Sequence, residues 1–243
     1  MSLALSRIVE ICGGRILIDG VNISEIDINQ VRKVITVIAQ DPTLFTGTIR
    51  FNLDPLREHS NAAIEQLLIK AGLEDLLNRE PEVTGANQEE LKNPTEVSSL
   101  QPSHDLNSEA RNRQDRKKQG KGIYFKINEG GSNLSAGERQ LLCICRAILR
   151  KNKVVVLDEA TANIDIVTEQ KIQDLIEKEF RDSTVITIAH RLNTIIKSDR
   201  VLVLDHGKVL EYDSPKTLME NPESHFSDLL KELKQKKEAG EAE

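Results

Sequence analysis

Cysteine is scarce in this chain, and the three present (Cys12, Cys143 and Cys145) are too few and too poorly spaced for a disulfide framework or a zinc site. Long hydrophobic runs are missing as well. The purely apolar stretches, such as Val154-Val155-Val156-Leu157, fall far short of the roughly 20 residues that span a bilayer, so no membrane span is expected. Basic charge is not in excess either: 33 Lys and Arg against 39 Asp and Glu leave a formal charge of −6. A general nucleic-acid binder needs clustered Lys and Arg for its phosphate contacts, so no nucleic-acid partner is expected. The opening MSLALSRIVE lacks the basic-then-apolar layout of a signal peptide, which predicts a chain that stays in the cytosol. No internal repeat is found. What remains is 243 residues, 30% charged and 38% hydrophobic. That is a globular composition, long enough for one large domain or two small ones with a real core.

Order and disorder alternate along the chain. Arg15–Gly20 reads as a short strand ending in a turn, and Val34–Ala39 as a β-branched strand covered on both faces. From Asn61 to Asn78 the apolar residues Ala62, Ala63, Leu67, Ala71 and Leu76 recur at helical spacing. Residues 81–121 then lose their aromatics and carry many Glu, Lys, Arg, Asn, Gln and Ser. Such a stretch cannot offset its ordering entropy, so it reads as a disordered insertion, with Arg111–Lys118 as a solvated basic end. Beyond it come a helix over 136–149, a strand over 153–157, a helix over 167–180 and a strand over 184–189. A short helix, a strand over 200–204, a turn and a strand over 209–212 follow, and 229–243 reads as a fraying helical tail. Strands alternating with helices predict a mostly parallel α/β sheet with flanking helices.

Five local signals carry chemistry, and each also has a plain structural reading. Val154–Leu157 runs into Asp158-Glu159, at the strand end where ligands bind in open α/β sheets. An Asp there can hold Mg²⁺, and a Glu beside it can deprotonate water, although many strands simply end in acidic turns. Ser135 and Glu138 have the spacing of a capping box. That leaves Gly137 unexplained, since it costs about 1 kcal/mol inside a helix relative to Ala. A Gly at a helix start suits close approach of a phosphate to backbone N–H groups. His190 and Gln40 each follow a strand and can equally be ordinary polar or turn residues, and Asp165 can simply cap the next helix.

Taken in order, Gln40, then LSAGERQ, then VVVLDEATANID, then TIAHR resemble the motifs of ATP-binding cassette domains. The runs IAQDPTLFTGTIRFNLDP, NLSAGERQLLCICRAILRK and TIAHRLNTIIKSDRVLVLDHGKVLEYDSP are similar to the second nucleotide-binding domain of the multidrug-resistance-associated, or C, subfamily of ABC transporters. The resemblance implies a P-loop NTPase-like fold: a mostly parallel sheet, flanking helices and an α-helical subdomain within about 41–150. It implies ATP and Mg²⁺ as ligands. Asp158 would be the Walker B aspartate, Glu159 the catalytic base, His190 the switch histidine and Gln40 the Q-loop residue touching Mg²⁺ and the attacking water. Ser135, Gly137 and Glu138 would form the signature motif that meets ATP held by a partner domain, and Asp165 the D-loop residue at the dimer seam. The family usually has Gln where this chain has Glu138. Implied partners are a second nucleotide-binding domain, in a head-to-tail dimer, and the transmembrane domains of the parent transporter, which places the chain at the cytosolic face of a membrane.

No G-x-x-x-x-G-K-[ST] loop occurs in these residues. The resemblance puts that Walker A loop immediately before Ser2, with the family's first strands, so the chain is expected to match a partial domain that is inactive alone. The expected function is to serve in an exporter that uses ATP hydrolysis to move organic anions or conjugates. The alternative is a non-catalytic module offering only its signature face to a partner's ATP. A DNA-repair or chromosome-structure ATPase would carry a coiled coil between Q-loop and signature. Here the insertion contains Pro94 and Pro102 and no heptads.

Overall fold

The computed structural model describes residues 2–79, 121–158, 164–188 and 192–240. The insertion expected at 81–121, Lys121 apart, lies outside them. In chain order the regular elements are α1 (Ser2–Leu5), β1 (Leu17–Ile18), β2 (Val21–Asn22), α2 (Ile28–Val34), β3 (Ile35–Ile38), β4 (Gly47–Thr48) and α3 (Ile49–Leu53). Next come α4 (Asn61–Lys70), α5 (Glu74–Asn78), β5 (Lys126–Ile127), α6 (Ala136–Arg150), β6 (Val154–Asp158) and α7 (Ile166–Glu179). The chain continues through β7 (Thr184–Ile188), α8 (Leu192–Ile196), β8 (Val201–Asp205), β9 (Lys208–Asp213), α9 (Pro215–Glu220) and α10 (His225–Gly240).

Two compact units emerge. One takes the described parts of 1–40, 154–162 and 184–243, the other those of 41–153 and 163–183. In the first unit β3, β6 and β7 form a parallel sheet in that order, with Ile38 opposite Leu157 and Asp158 opposite Ile188. Val154–Leu157 is buried throughout, as an unbroken apolar run demands. Val37 departs from the expected two-sided cover of its strand. It is 42% exposed, so cover on the face it shares with Ile35 stops at the carboxyl half of β3. Ile23, Val31, Ile35, Val154 and Val156 make one core, and Val203, Leu218, Phe226 and Leu230 another. Two tight hairpins, β1-β2 and β8-β9, turn on Asp19-Gly20 and His206-Gly207, all four residues at positive φ. Paired left-handed residues match the right-handed twist of the flanking strands.

The second unit is mainly helical and is held by α3, α4, α6 and α7, with Ile49, Ile64, Leu68, Leu142, Ile144 and Ile172 fully buried. Helical periodicity over 61–78 resolves into two helices, not one. Gly72 at φ +72 ends α4, and Leu73 N–H donates to Leu68 O at 2.9 Å. A left-handed glycine after the last helical turn satisfies the final carbonyls and stops the helix.

Candidate functional site

The start of α6 is organised by its own sequence. Glu138 N–H donates to Ser135 Oγ at 3.2 Å, and Ser135 N–H donates to Glu138 Oε2 at 2.7 Å, so the capping box is complete. The N–H groups of Ala136 and Gly137, at the first two helical positions, have no intrahelical acceptor. A cavity of about 300 Å³ opens beside them, lined among others by Ser135, Gly137, Glu138, Asp165, Thr168 and Lys171. The positive end of a 15-residue helix and two unspent donors suit an anion there.

Asp165 stands at the same cavity and caps α7, accepting from Thr168 N–H at 2.9 Å. The Thr168 backbone and side-chain hydrogen bonds hold its carboxyl below the usual range. Ser135, Gly137, Glu138 and Asp165, far apart in sequence, thus line one cavity. In the other unit, Asp158 closes β6, half-buried, and Gln40 lies exposed two residues past β3. Parallel pairing of β3 with β6 puts both at the carboxyl edge of one sheet. A carboxylate and an amide carbonyl are hard oxygen donors of the type Mg²⁺ takes, so the donor types fit. No group of three or more His, Cys, Asp or Glu that could hold a metal exists among the described residues. Glu159 and His190 lie outside the described residues.

Three residues at or near this site were not singled out from the sequence. Arg79 Nη2 donates to Glu138 Oε1 at 2.6 Å. Thr168 Cγ2 would lie 2.8 Å from a Cβ built on Gly137. Arg146 Nε donates to Asn52 O at 2.7 Å and its Nη1 to Thr43 O at 3.1 Å, fastening the loop that follows Gln40 to α6. Only the fold pairs them, because no local spacing marks residues so far apart.

Known proteins are similar to this chain in sequence and fold. Bile pigment transporter 1 of Saccharomyces cerevisiae is 41% identical over 233 residues, covering 94% of this chain and 13% of its own length. ATP-binding cassette sub-family C member 2 of Homo sapiens is 42% identical over 218 residues, and member 3 of Rattus norvegicus 43% over 219, each covering 90% of this chain and 12% of the relative. The chain therefore spans 12–13% of the length of these curated relatives. Among solved structures, a bacterial Atm1-family ABC exporter with ATP bound superposes with a TM-score of 0.71 at 27% identity, covering 95% of this chain and 34% of that one. This chain thus has the mixed α/β fold of an ABC ATPase. Among the described residues no helix is long and apolar enough to cross a membrane. Residues 2–162 match the family model described as ABC transporter, and the chain belongs to that family.

Proposed function

We propose that this chain serves as nucleotide-binding polypeptide in an exporter of the multidrug-resistance-associated kind, at the cytosolic face of a membrane, and that the exporter moves organic anions or conjugates. The observation that carries the reading is the start of α6, a capped helix terminus with two unspent N–H donors beside a polar cavity that Asp165 shares. Ser135, Gly137 and Glu138 would present this terminus to the terminal phosphate of ATP held by a second nucleotide-binding domain, with Asp165 at the seam between the two. Asp158 and Gln40 would hold Mg²⁺, which when bound draws charge from the phosphates. Glu159 would take the proton from the attacking water and His190 would stand by the terminal phosphate. Polar contact alone does not hydrolyse ATP, and a positioned base on the attacking water would supply the proton transfer.

A second reading, a module offering only its signature face to a partner's ATP, is favoured by one observation: Ser135, Gly137, Glu138 and Asp165 line a single cavity at the start of α6. One titration separates the two. Mg-ATP is titrated by calorimetry into the chain alone and into its mixture with an intact nucleotide-binding domain of the family. Binding and association in the mixture, with none by the chain alone, is the expected result. Turnover in the mixture that is lost with Glu159→Gln supports the catalytic reading, and association without such turnover supports the module. No association with ATP-loaded partner overturns both.

A further inference from the structure

Glu138 places a carboxylate one turn inside a helix start that, on the function proposed above, faces phosphate. A carboxylate there would repel the ligand that the unspent amides attract, whereas the Gln usual in the family would not. The fold brings a countercharge from 59 residues away. Arg79, the residue after α5, donates from Nη2 to Glu138 Oε1 at 2.6 Å and from Nη1 to Asn133 O at 3.3 Å. Its guanidinium carbon lies 5.9 Å from the centroid of the Phe125 ring. The pair is partly desolvated, with side-chain exposures of 38% for Arg79 and 18% for Glu138, so salt screens it less than a surface pair. Because Ser135 N–H takes the other oxygen, both carboxylate oxygens are engaged and neither is turned to the amides of Ala136 and Gly137. Of the other carboxylates lining the cavity, Asp75 and Asp165, the second is itself occupied in capping α7.

We propose that Arg79 is a positioning residue of the signature turn: it neutralises Glu138 and fixes its carboxylate so that the start of α6 stays receptive to a nucleoside triphosphate presented by a partner domain. The inference rests on the reading of α6 as a phosphate-facing terminus. It makes Arg79 and Glu138 one unit, in which a charged pair does what a single neutral Gln does elsewhere.

A double-mutant cycle tests it. The chain and its variants are mixed with an intact nucleotide-binding domain of the family, loaded with Mg-ATP and blocked in hydrolysis, and association is followed by sedimentation or anisotropy. Arg79→Ala is expected to weaken ATP-dependent association about tenfold or more, a factor worth about 1.4 kcal/mol. In a Glu138→Gln background the same change is expected to cost less than about twofold. Arg79→Gln, which keeps a donor and most of the stem but no charge, is expected to follow Arg79→Ala and guards against a variant that merely misfolds. A merely structural clamp through Asn133 or Phe125 would make Arg79→Ala equally costly in both backgrounds, and that result overturns the inference. So does a wild-type background in which Arg79→Ala is silent. If the wild-type chain itself shows no ATP-dependent association, the proposed function falls and takes this inference with it.

Discussion

A Cβ built on Gly137 would lie 2.8 Å from Cγ2 of Thr168, closer than two carbons pack without displacement. Thr168 is β-branched and donates its N–H to Asp165, so its methyl group cannot swing aside freely. The glycine therefore has a packing reason, the close approach of α7 to α6, alongside the phosphate reason read from the sequence. Two opposing terms decide what Gly137→Ala does. Helix propensity favours Ala by about 1 kcal/mol, and overpacking costs about 1–3 kcal/mol. Net destabilisation of up to about 2 kcal/mol in denaturant melts is expected, relieved by adding Thr168→Ser, which removes the offending methyl. A gain in stability from Gly137→Ala would show that the helices do not meet there. Cysteine reactivity is a second test at this scale. Burial pushes the Cys145 thiol up to about 12 and raises that of Cys143 as well, whereas Cys12 is exposed. The thiolate is the nucleophile, so iodoacetamide at pH 8 is expected to label Cys12 first, Cys143 slowly and Cys145 only on unfolding, as read by peptide mass spectrometry.

Helix starts in this protein are held in two different ways. At α6 the cap is local, supplied by Ser135 three residues from Glu138. Removing it by Ser135→Ala is expected to cost about 1 kcal/mol in denaturant melts. At α10 the local cap, Ser227 N–H donating to Ser224 Oγ at 3.3 Å, is joined by a cap from another element. Glu211 of β9 accepts from Ser224 Oγ at 3.0 Å, His225 N–H at 2.9 Å and Phe226 N–H at 3.0 Å. Burial raises its carboxyl, but these hydrogen bonds and the nearby His225 outweigh that and leave it below its ordinary value. Glu211→Ala strips three partners at once, so amide hydrogen exchange over 225–228 is expected to quicken while that of α6 is unchanged. Equal quickening of both helices would point to general destabilisation and not to a lost cap.

For the molecule as a whole, pH is the lever. Burial raises the carboxyl of Asp54, yet N–H bonds from His59 and Glu58, with the charges of Arg50 and His59, bring it below its usual value. Asp165 and Glu211 are lowered too. Each group binds its proton less readily folded than unfolded. Its stabilisation is therefore complete above the unfolded value of about 4 and is lost as pH falls through the folded one. Thermal midpoints are expected to hold from pH 7 to about 5 and to drop below pH 4, with a shallower drop in Asp54→Asn; a flat profile down to pH 3 would refute this. The sequence by itself determined the elements whose cause is local. Val154–Leu157 had to be a buried strand because it is apolar without a break, and α6 had to start after Ser135 because cap and helix lie three residues apart. The family motifs were legible for the same reason, as contiguous words. Even locally, the stop at Gly72 was hidden under a helical period that runs across it. Tertiary structure alone decided that Arg79 meets Glu138, that Thr168 stands over Gly137 and that Glu211 caps α10. Those contacts join residues 13 to 59 positions apart. Side-chain period and cap spacing act over a few residues, so pairings at that range exist only once the packed helices and strands bring the groups together.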